Sequence, residues 1–219
     1  MKIASYKANL IELIATGGVL MFGDFTTKSG RQSPYFINSG QYKTGAQAEQ
    51  ISEYYAALIK EKLEGSFDVL FGPAYKGIPL CTLTAAALFR MYGIDAGYCF
   101  NRKEAKDHGE VGIFVGYIPK DGDRLLIIED VVTAGTAVRE SLQLLKAAAD
   151  VTVSALFVSV DRMERGSGSK STLDELREEF GIEVFSIINA RDIIDSFEAG
   201  DDRIEKMEAY LAEYGAKVL

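Results

Sequence analysis

The chain has 219 residues, 47% hydrophobic and 26% charged, which suits one soluble domain able to bury roughly three quarters of its unfolded surface. Lys and Arg number 24 against 32 Asp and Glu, a net charge of −8 that argues against a duplex nucleic-acid partner. No segment reaches the roughly 20 unbroken apolar residues of a membrane span, and a single histidine, His108, excludes chemistry needing two imidazoles in one chain.

The stretch "MKIASYKANLIELIATGG" carries Glu12 within its apolar periodicity, so it reads as an amphipathic helix rather than a signal peptide, and a cytoplasmic chain is expected. Residues 18–42, "GVLMFGDFTTKSGRQSPYFINSGQY", are rich in aromatics, Gly and Ser and read as a small hood over the edge of a sheet. A helix is expected at about 43–64, then a strand at 67–71, "FDVLF", and a helix over 77–93 ended by Gly93. Strands follow at 95–101 and 123–130, a helix at 134–149, and a valine-rich strand at 150–161. A helix at 171–181, N-capped by Ser171 or Thr172, and a strand at 182–188 complete the series. This alternation predicts an α/β fold, a central mainly parallel sheet with helices on both faces and the hood at its N-terminal end, within a single domain spanning 1–219. Cys81 and Cys99 sit in apolar or aromatic surroundings without metal-ligand spacing and read as buried thiols.

Residues 125–140, "LLIIEDVVTAGTAVRE", raise the chemical question. A buried strand ends in two carboxylates, Glu129 and Asp130, and the small-residue turn Thr133-Ala134-Gly135-Thr136 opens a helix. Ligands of open α/β sheets bind beyond the carboxyl ends of the strands. The unpaired N–H groups of a first helical turn, with the helix dipole, favour an anion such as phosphate. Carboxylates beside a phosphate cradle would repel the phosphate but suit the hydroxyls of a ribose that bears it. Solvated acids on a plain strand–turn–helix, or an acid pair of response-regulator type, are the alternatives. The chain has no GxxxxGK[ST] loop, which disfavours a P-loop NTPase.

Three more stretches stand out. "FGPAYKGIPL" (71–80) sets Lys76 between glycines after a strand, on the same rim as Asp130 if the sheet is parallel; a surface-turn lysine is the plain alternative. "NRKEAKDHGEVG" (101–112) concentrates Arg102, Lys103, Lys106 and His108 without apolar periodicity, which predicts a mobile loop suited to a polyanionic leaving group. "VSVDRMERGSGSK" (158–170) places Arg162, whose planar fork suits a carboxylate, just past a strand end.

"IIEDVVTAGTA" resembles the phosphoribosyl pyrophosphate (PRPP) signature of the type I phosphoribosyltransferases, with Glu-Asp where the orotate-using members usually carry Asp-Asp. The run 101–112 resembles the catalytic loop of those orotate-using members, "TKSGRQSPYFINSG" (27–40) their hood, and "DRMERG" their orotate-recognition motif. The matching segments cover most of residues 27–166 in family order. The resemblance implies Mg²⁺-dependent transfer of a phosphoribosyl group from PRPP to orotate in pyrimidine biosynthesis, with the metal held mainly by substrate and water rather than by protein ligands. It implies PRPP contacts from Lys28, Tyr75, Lys76, Arg102, Lys103, Lys106, His108, Glu129, Asp130 and the stretch Val131, Val132, Thr133, Ala134, Gly135, Thr136 and Ala137. Among these, Lys76, Arg102, Lys103, Lys106, His108 and Asp130 would carry catalysis. Orotate contacts are implied for Lys28, Tyr35, Phe36, Thr133 and Arg162, although Tyr35 and Phe36 equally suit the core of a hood. The turn at Tyr75 is expected to hold a non-proline cis peptide, as it often does in that family. A homodimer is implied, the 101–112 loop completing the partner's site. A purine-using member would not be expected to carry both the basic loop and the Arg162 motif, and a PRPP-sensing regulator would bring a basic DNA-binding module.

Overall fold

A computed structural model describes residues 3–27, 29–63, 66–106, 112–166, 168–198 and 200–216, the side chains of residues 3–5, 105 and 106 apart. Lys28 and His108 therefore lie outside the described residues, and Lys106 is placed by its backbone alone.

The strands are β3 (Val69–Gly72), β4 (Gly97–Lys106), β5 (Gly112–Gly116), β6 (Arg124–Glu129), β7 (Thr152–Asp161) and β8 (Glu183–Asn189), in the sheet order β5–β4–β3–β6–β7–β8. All neighbours run parallel except β4 and β5. The run Leu125–Ile128 is wholly buried because both faces of the sheet are covered. Leu126 and Ile128 join a core with α1 (Ile3–Thr16), α2 (Gly45–Leu63) and α3 (Gly77–Tyr92); Leu125 and Ile127 join another with α4 (Thr136–Ala148) and α5 (Thr172–Phe180). The two-residue period of the strand thus divides one apolar run between two layers. As expected, Gly93 ends α3 in the left-handed conformation, and Ser171 caps α5 by accepting from the Asp174 N–H.

Residues 18–42 form an antiparallel hairpin, β1 (Leu20–Thr26) and β2 (Gln32–Ile37), followed by a 3-10 turn at Ser39–Gln41. Two helices beyond the last expected strand, α6 (Ala190–Asp195) and α7 (Asp202–Tyr214), fall in a segment to which the sequence reading assigned no element. Helix α7 buries Ile204, Met207 and Tyr210, a helical spacing, and Tyr210 meets Tyr35 of β2 edge-on at 6.1 Å.

The expected loop at 101–112 needs correction. Residues 101–106 continue β4 and pair with β5, with Asn101 opposite Phe114 and Lys106 opposite Gly112 across a bulge. Apolar periodicity reports burial, and this ribbon is held by backbone pairing and by the Arg102 guanidinium, which donates to the Gly112 and Phe114 carbonyls at 3.1 and 3.2 Å. Residues 107–111 lie outside the described residues.

Helix α3 starts hard against the sheet. A Cβ on Gly72 would lie 2.3 Å from the Gly77 carbonyl oxygen and 2.6 Å from Cys81 Cβ, and one on Gly77 would lie 2.9 Å from the Ile128 oxygen. This contact sets the turn between β3 and α3 beside the end of β6. Gly72→Ala is expected to destabilise the protein by about 3 kcal/mol, through backbone overpacking, as a lower urea midpoint at an unchanged slope. Gly45→Ala, whose Cβ would meet nothing within 4 Å, is the control and should leave the midpoint the same or higher; equal midpoints for both variants would refute the role given to Gly72.

Candidate active site

Strand β6 delivers two acids to its carboxyl end, and both stay buried, Glu129 at 8% and Asp130 at 6% exposure. Buried carboxylates need partners. Ser39 Oγ and Lys76 Nζ both donate to Asp130 Oδ2, the lysine at 3.1 Å. The Asp130 carbonyl accepts from the Ser159 N–H at 2.9 Å and its hydroxyl at 2.7 Å, and the Tyr55 hydroxyl donates to the Glu129 carbonyl at 2.7 Å. The Asp130 N–H donates to Glu129 Oε1 at 3.2 Å. Burial and the adjacent Asp130 push Glu129 up to about 8. Burial also pushes Asp130 up, but the Ser39 hydroxyl, Glu129 and Lys76 outweigh it and hold Asp130 below the ordinary aspartate value. Near neutral pH the pair therefore carries one negative charge, centred on Asp130.

The turn after β3 brings Lys76 to this pair. Ala74–Tyr75 is a cis peptide, as expected for this turn, and the Ala74 N–H donates to Asn101 Oδ1 of β4 at 3.0 Å. Tyr75 is 69% exposed, with Lys103 Nζ 5.3 Å from its ring centroid. Of the expected cations, Lys103 thus faces the exposed ring of Tyr75, and Lys76, the next residue along the turn, faces Asp130.

Val131 to Gly135 form the connection into α4, with Thr133 and Ala134 exposed and Gly135 left-handed at φ 73°. A Cβ on Gly135 would also lie 3.1 Å from Thr172 Cγ2, so the position wants glycine for two reasons. No side chain caps α4, and Thr136 and Ala137 are exposed in its first turn, so the helix start is open to an anion.

Arg162 lies elsewhere on the rim, just beyond the end of β7, and is 7% exposed. Its guanidinium stacks on Tyr35 at 4.1 Å, and Nη2 donates to Ser33 Oγ at 3.0 Å. Glu164 Oε1 takes Nε at 2.8 Å and Nη2 at 2.6 Å. The edge expected to clasp a carboxylate therefore already faces Glu164, and a two-pronged grip on a ligand is not available in this arrangement. Tyr35 is wholly buried and serves as a platform for Arg162, whereas Phe36, on the opposite face of β2, is 43% exposed and stacks on Phe25 at 5.5 Å.

Thus Lys76, Glu129 and Asp130 meet, with Tyr75 and Lys103 beside them, while Tyr35 and Arg162 make a second cluster. Arg102 is engaged by the β5 backbone. Ser39, Tyr55, Ser159 and Glu164 went unnoticed in the sequence; only Glu164, two residues from Arg162, carried a local signal. Among the described residues no group of three His, Cys, Asp or Glu could hold a metal, and no helix is long and apolar enough to cross a membrane.

The phosphoribosyl transferase domain profile matches residues 38–186. The chain is 48% identical to the orotate phosphoribosyltransferase of Clostridium acetobutylicum over 221 residues, 97% of this chain and 99% of that protein. It is 45% identical to that of Haemophilus influenzae (strain KW20) over 213 residues, 96% of this chain and 98% of that one. The crystal structure of the Francisella tularensis orotate phosphoribosyltransferase superposes with a TM-score of 0.83 at 38% identity, covering 95% of this chain and all of that one.

A carboxyl raised on folding contributes stability that is present below its unfolded value and lost as pH rises through the folded one. For Glu129 that window runs from 4.5 to about 8. The melting temperature of the wild type should therefore fall relative to Glu129→Gln between about pH 5 and about pH 8. Parallel curves from calorimetry would mean that Glu129 is ionised throughout.

Proposed function

The chain belongs to the phosphoribosyl transferase family, alongside the orotate phosphoribosyltransferases, and from that premise we propose that it joins orotate to PRPP, giving orotidine 5′-monophosphate and pyrophosphate in pyrimidine biosynthesis. The observation that carries this reading is the Lys76–Asp130 pair, 3.1 Å apart beside the uncapped start of α4. Breaking the ribose C1′–oxygen bond leaves a cation-like sugar and a highly charged diphosphate. Catalysis then consists mainly of holding the sugar and neutralising the leaving group.

In this reading Asp130, the charged member of its pair, accepts from a ribose hydroxyl, and Glu129 supplies the neutral partner. Residues 131–137 cradle the 5′-phosphate with backbone N–H groups and threonine hydroxyls. Lys76, Lys103, Arg102, Lys106 and His108 are assigned to the diphosphate, and Tyr75 and Lys28 add contacts to PRPP. Phe36, Thr133 and Arg162 line the orotate side, with Tyr35 supporting Arg162 from beneath. With its Nε and Nη2 facing Glu164, Arg162 meets the base through its remaining nitrogen. The hairpin of 18–42 acts as a hood over the site within one 219-residue domain. Mg²⁺ would be held mainly by substrate oxygens and water, with the charged Asp130 carboxylate on the same rim. When bound, the ion adds positive charge at the diphosphate.

The functional unit in this reading is a cytoplasmic homodimer in which the 101–112 segment completes the partner's site. Large aromatics left exposed on α3 and β4, Phe89, Tyr92 and Tyr98, support an interface on that side.

Incubation with PRPP and Mg²⁺ should consume orotate, read as loss of its ultraviolet absorbance, and no purine base. Asp130→Asn should lower kcat/KM for PRPP at least tenfold, a hydrogen bond involving a charged group being worth about 1.5–3 kcal/mol; unchanged PRPP kinetics would remove Asp130 from the ribose site.

For the shared site, Lys106→Ala and Asp130→Asn chains, each nearly inactive, are mixed and allowed to exchange. About half the dimers are then mixed, each with one intact site, so about a quarter of wild-type activity should return. Mixed dimers verified by native mass spectrometry, with no gain in activity, would place Lys106 in its own chain's site.

A further inference from the structure

Two groups hold the same oxygen of Asp130, and they differ in permanence. Lys76 approaches from the rim with its side chain 52% exposed, and on the reading above it also serves the diphosphate. Ser39 approaches from inside and is only 9% exposed. Its backbone is fixed by a one-turn 3-10 helix: Asn38 caps the turn by accepting from the Gly40 N–H at 3.2 Å, and the Tyr42 N–H closes it on the Ser39 carbonyl at 3.1 Å. The turn directly follows β2, so Ser39 ties the hairpin to a carboxylate 91 residues away.

We propose that Ser39 is a positioning residue for PRPP use, its buried hydroxyl holding the Asp130 carboxylate oriented and charged when Lys76 turns to the diphosphate. The inference rests on the proposed function. A lysine shared between two anions cannot serve both fully, and Asp130 would otherwise lose its only charged donor among the described residues just as the ribose hydroxyl needs a fixed acceptor. The other titratable groups around Asp130 supply no second cation. Glu129 is the acid it must differ from, the Tyr55 hydroxyl already donates to the Glu129 carbonyl at 2.7 Å, and burial pushes the Tyr42 and Tyr55 hydroxyls upward, so both stay neutral. The Ser39 hydrogen bond is the leading influence that lowers Asp130 against its burial.

The test compares wild type, Ser39→Ala and Ser39→Thr, with PRPP and orotate varied separately from about pH 3 to about pH 9, a range that reaches below the ordinary aspartate value. Ser39→Ala should raise the KM for PRPP roughly tenfold, the size of one hydrogen bond to a charged group, and leave the KM for orotate within about twofold. Its acid limb of kcat/KM for PRPP should move to higher pH, because a carboxylate deprived of a donor takes up its proton sooner. Ser39→Thr, which keeps the hydroxyl, should restore both. A Ser39→Ala enzyme with unchanged PRPP kinetics and acid limb overturns the inference, as does an equal loss for both substrates with the acid limb in place, which marks a purely structural serine. Wild-type protein that turns over no PRPP with orotate fails at an earlier step and overturns the functional reading itself.

Discussion

A carboxylate buried at the end of a buried strand cannot stay charged without donors, and the arrangement around Asp130 follows from that constraint. The donors to this residue come from three places distant in sequence. Ser39, in the turn after the hairpin, and Lys76, at the start of α3, donate to its carboxylate, and Ser159 of β7 donates to its backbone carbonyl. Each must arrive within hydrogen-bond reach, so the hairpin, the third helix and the neighbouring strand are all registered against one residue. Glu129 shows the other result of the same burial. Without a cationic partner of its own it takes a proton, and the pair becomes one charge and one neutral acid.

The approach of Lys76 depends in turn on glycine. Gly72 and Gly77 let the first turn of α3 touch the ends of β3 and β6 with no side chain between them. A methyl group at either place would push the helix off the sheet and carry the lysine with it. Gly135 does related work at the start of α4, where the chain needs a left-handed residue and a close approach to α5. These contacts turn a generic α/β rim into one with cations, acids and an open helix start in a small space.

Arg162 shows how packing narrows what a side chain can do. Buried over Tyr35 and paired with Glu164, it is a rigid, charged group with most of its donors already committed. Burial alone would lower its pKa; Tyr35 and Glu164 outweigh that, and it stays charged. Helix α7 backs the cluster through Tyr210. The C-terminal helix, silent in the sequence reading, therefore braces the region assigned to base recognition.

The linear sequence was enough for the layered α/β fold, because fully apolar strands alternate with helical periods along the chain, and enough to mark Glu129, Asp130 and the glycine-bearing turn after them, because these lie together in one stretch. It also marked Lys76 and Arg162 through their places just beyond strand ends. It misread 101–106 as loop, since a ribbon held by backbone pairing has no need of an apolar pattern. Tertiary structure alone decided which acid carries the charge, that Ser39 and Lys76 share one oxygen of Asp130, and that Glu164 occupies the Arg162 fork. Adjacent acids can be read along a chain; their protonation depends on burial and on donors from elsewhere, and both exist only after the hairpin, α3 and β7 have packed around the end of β6.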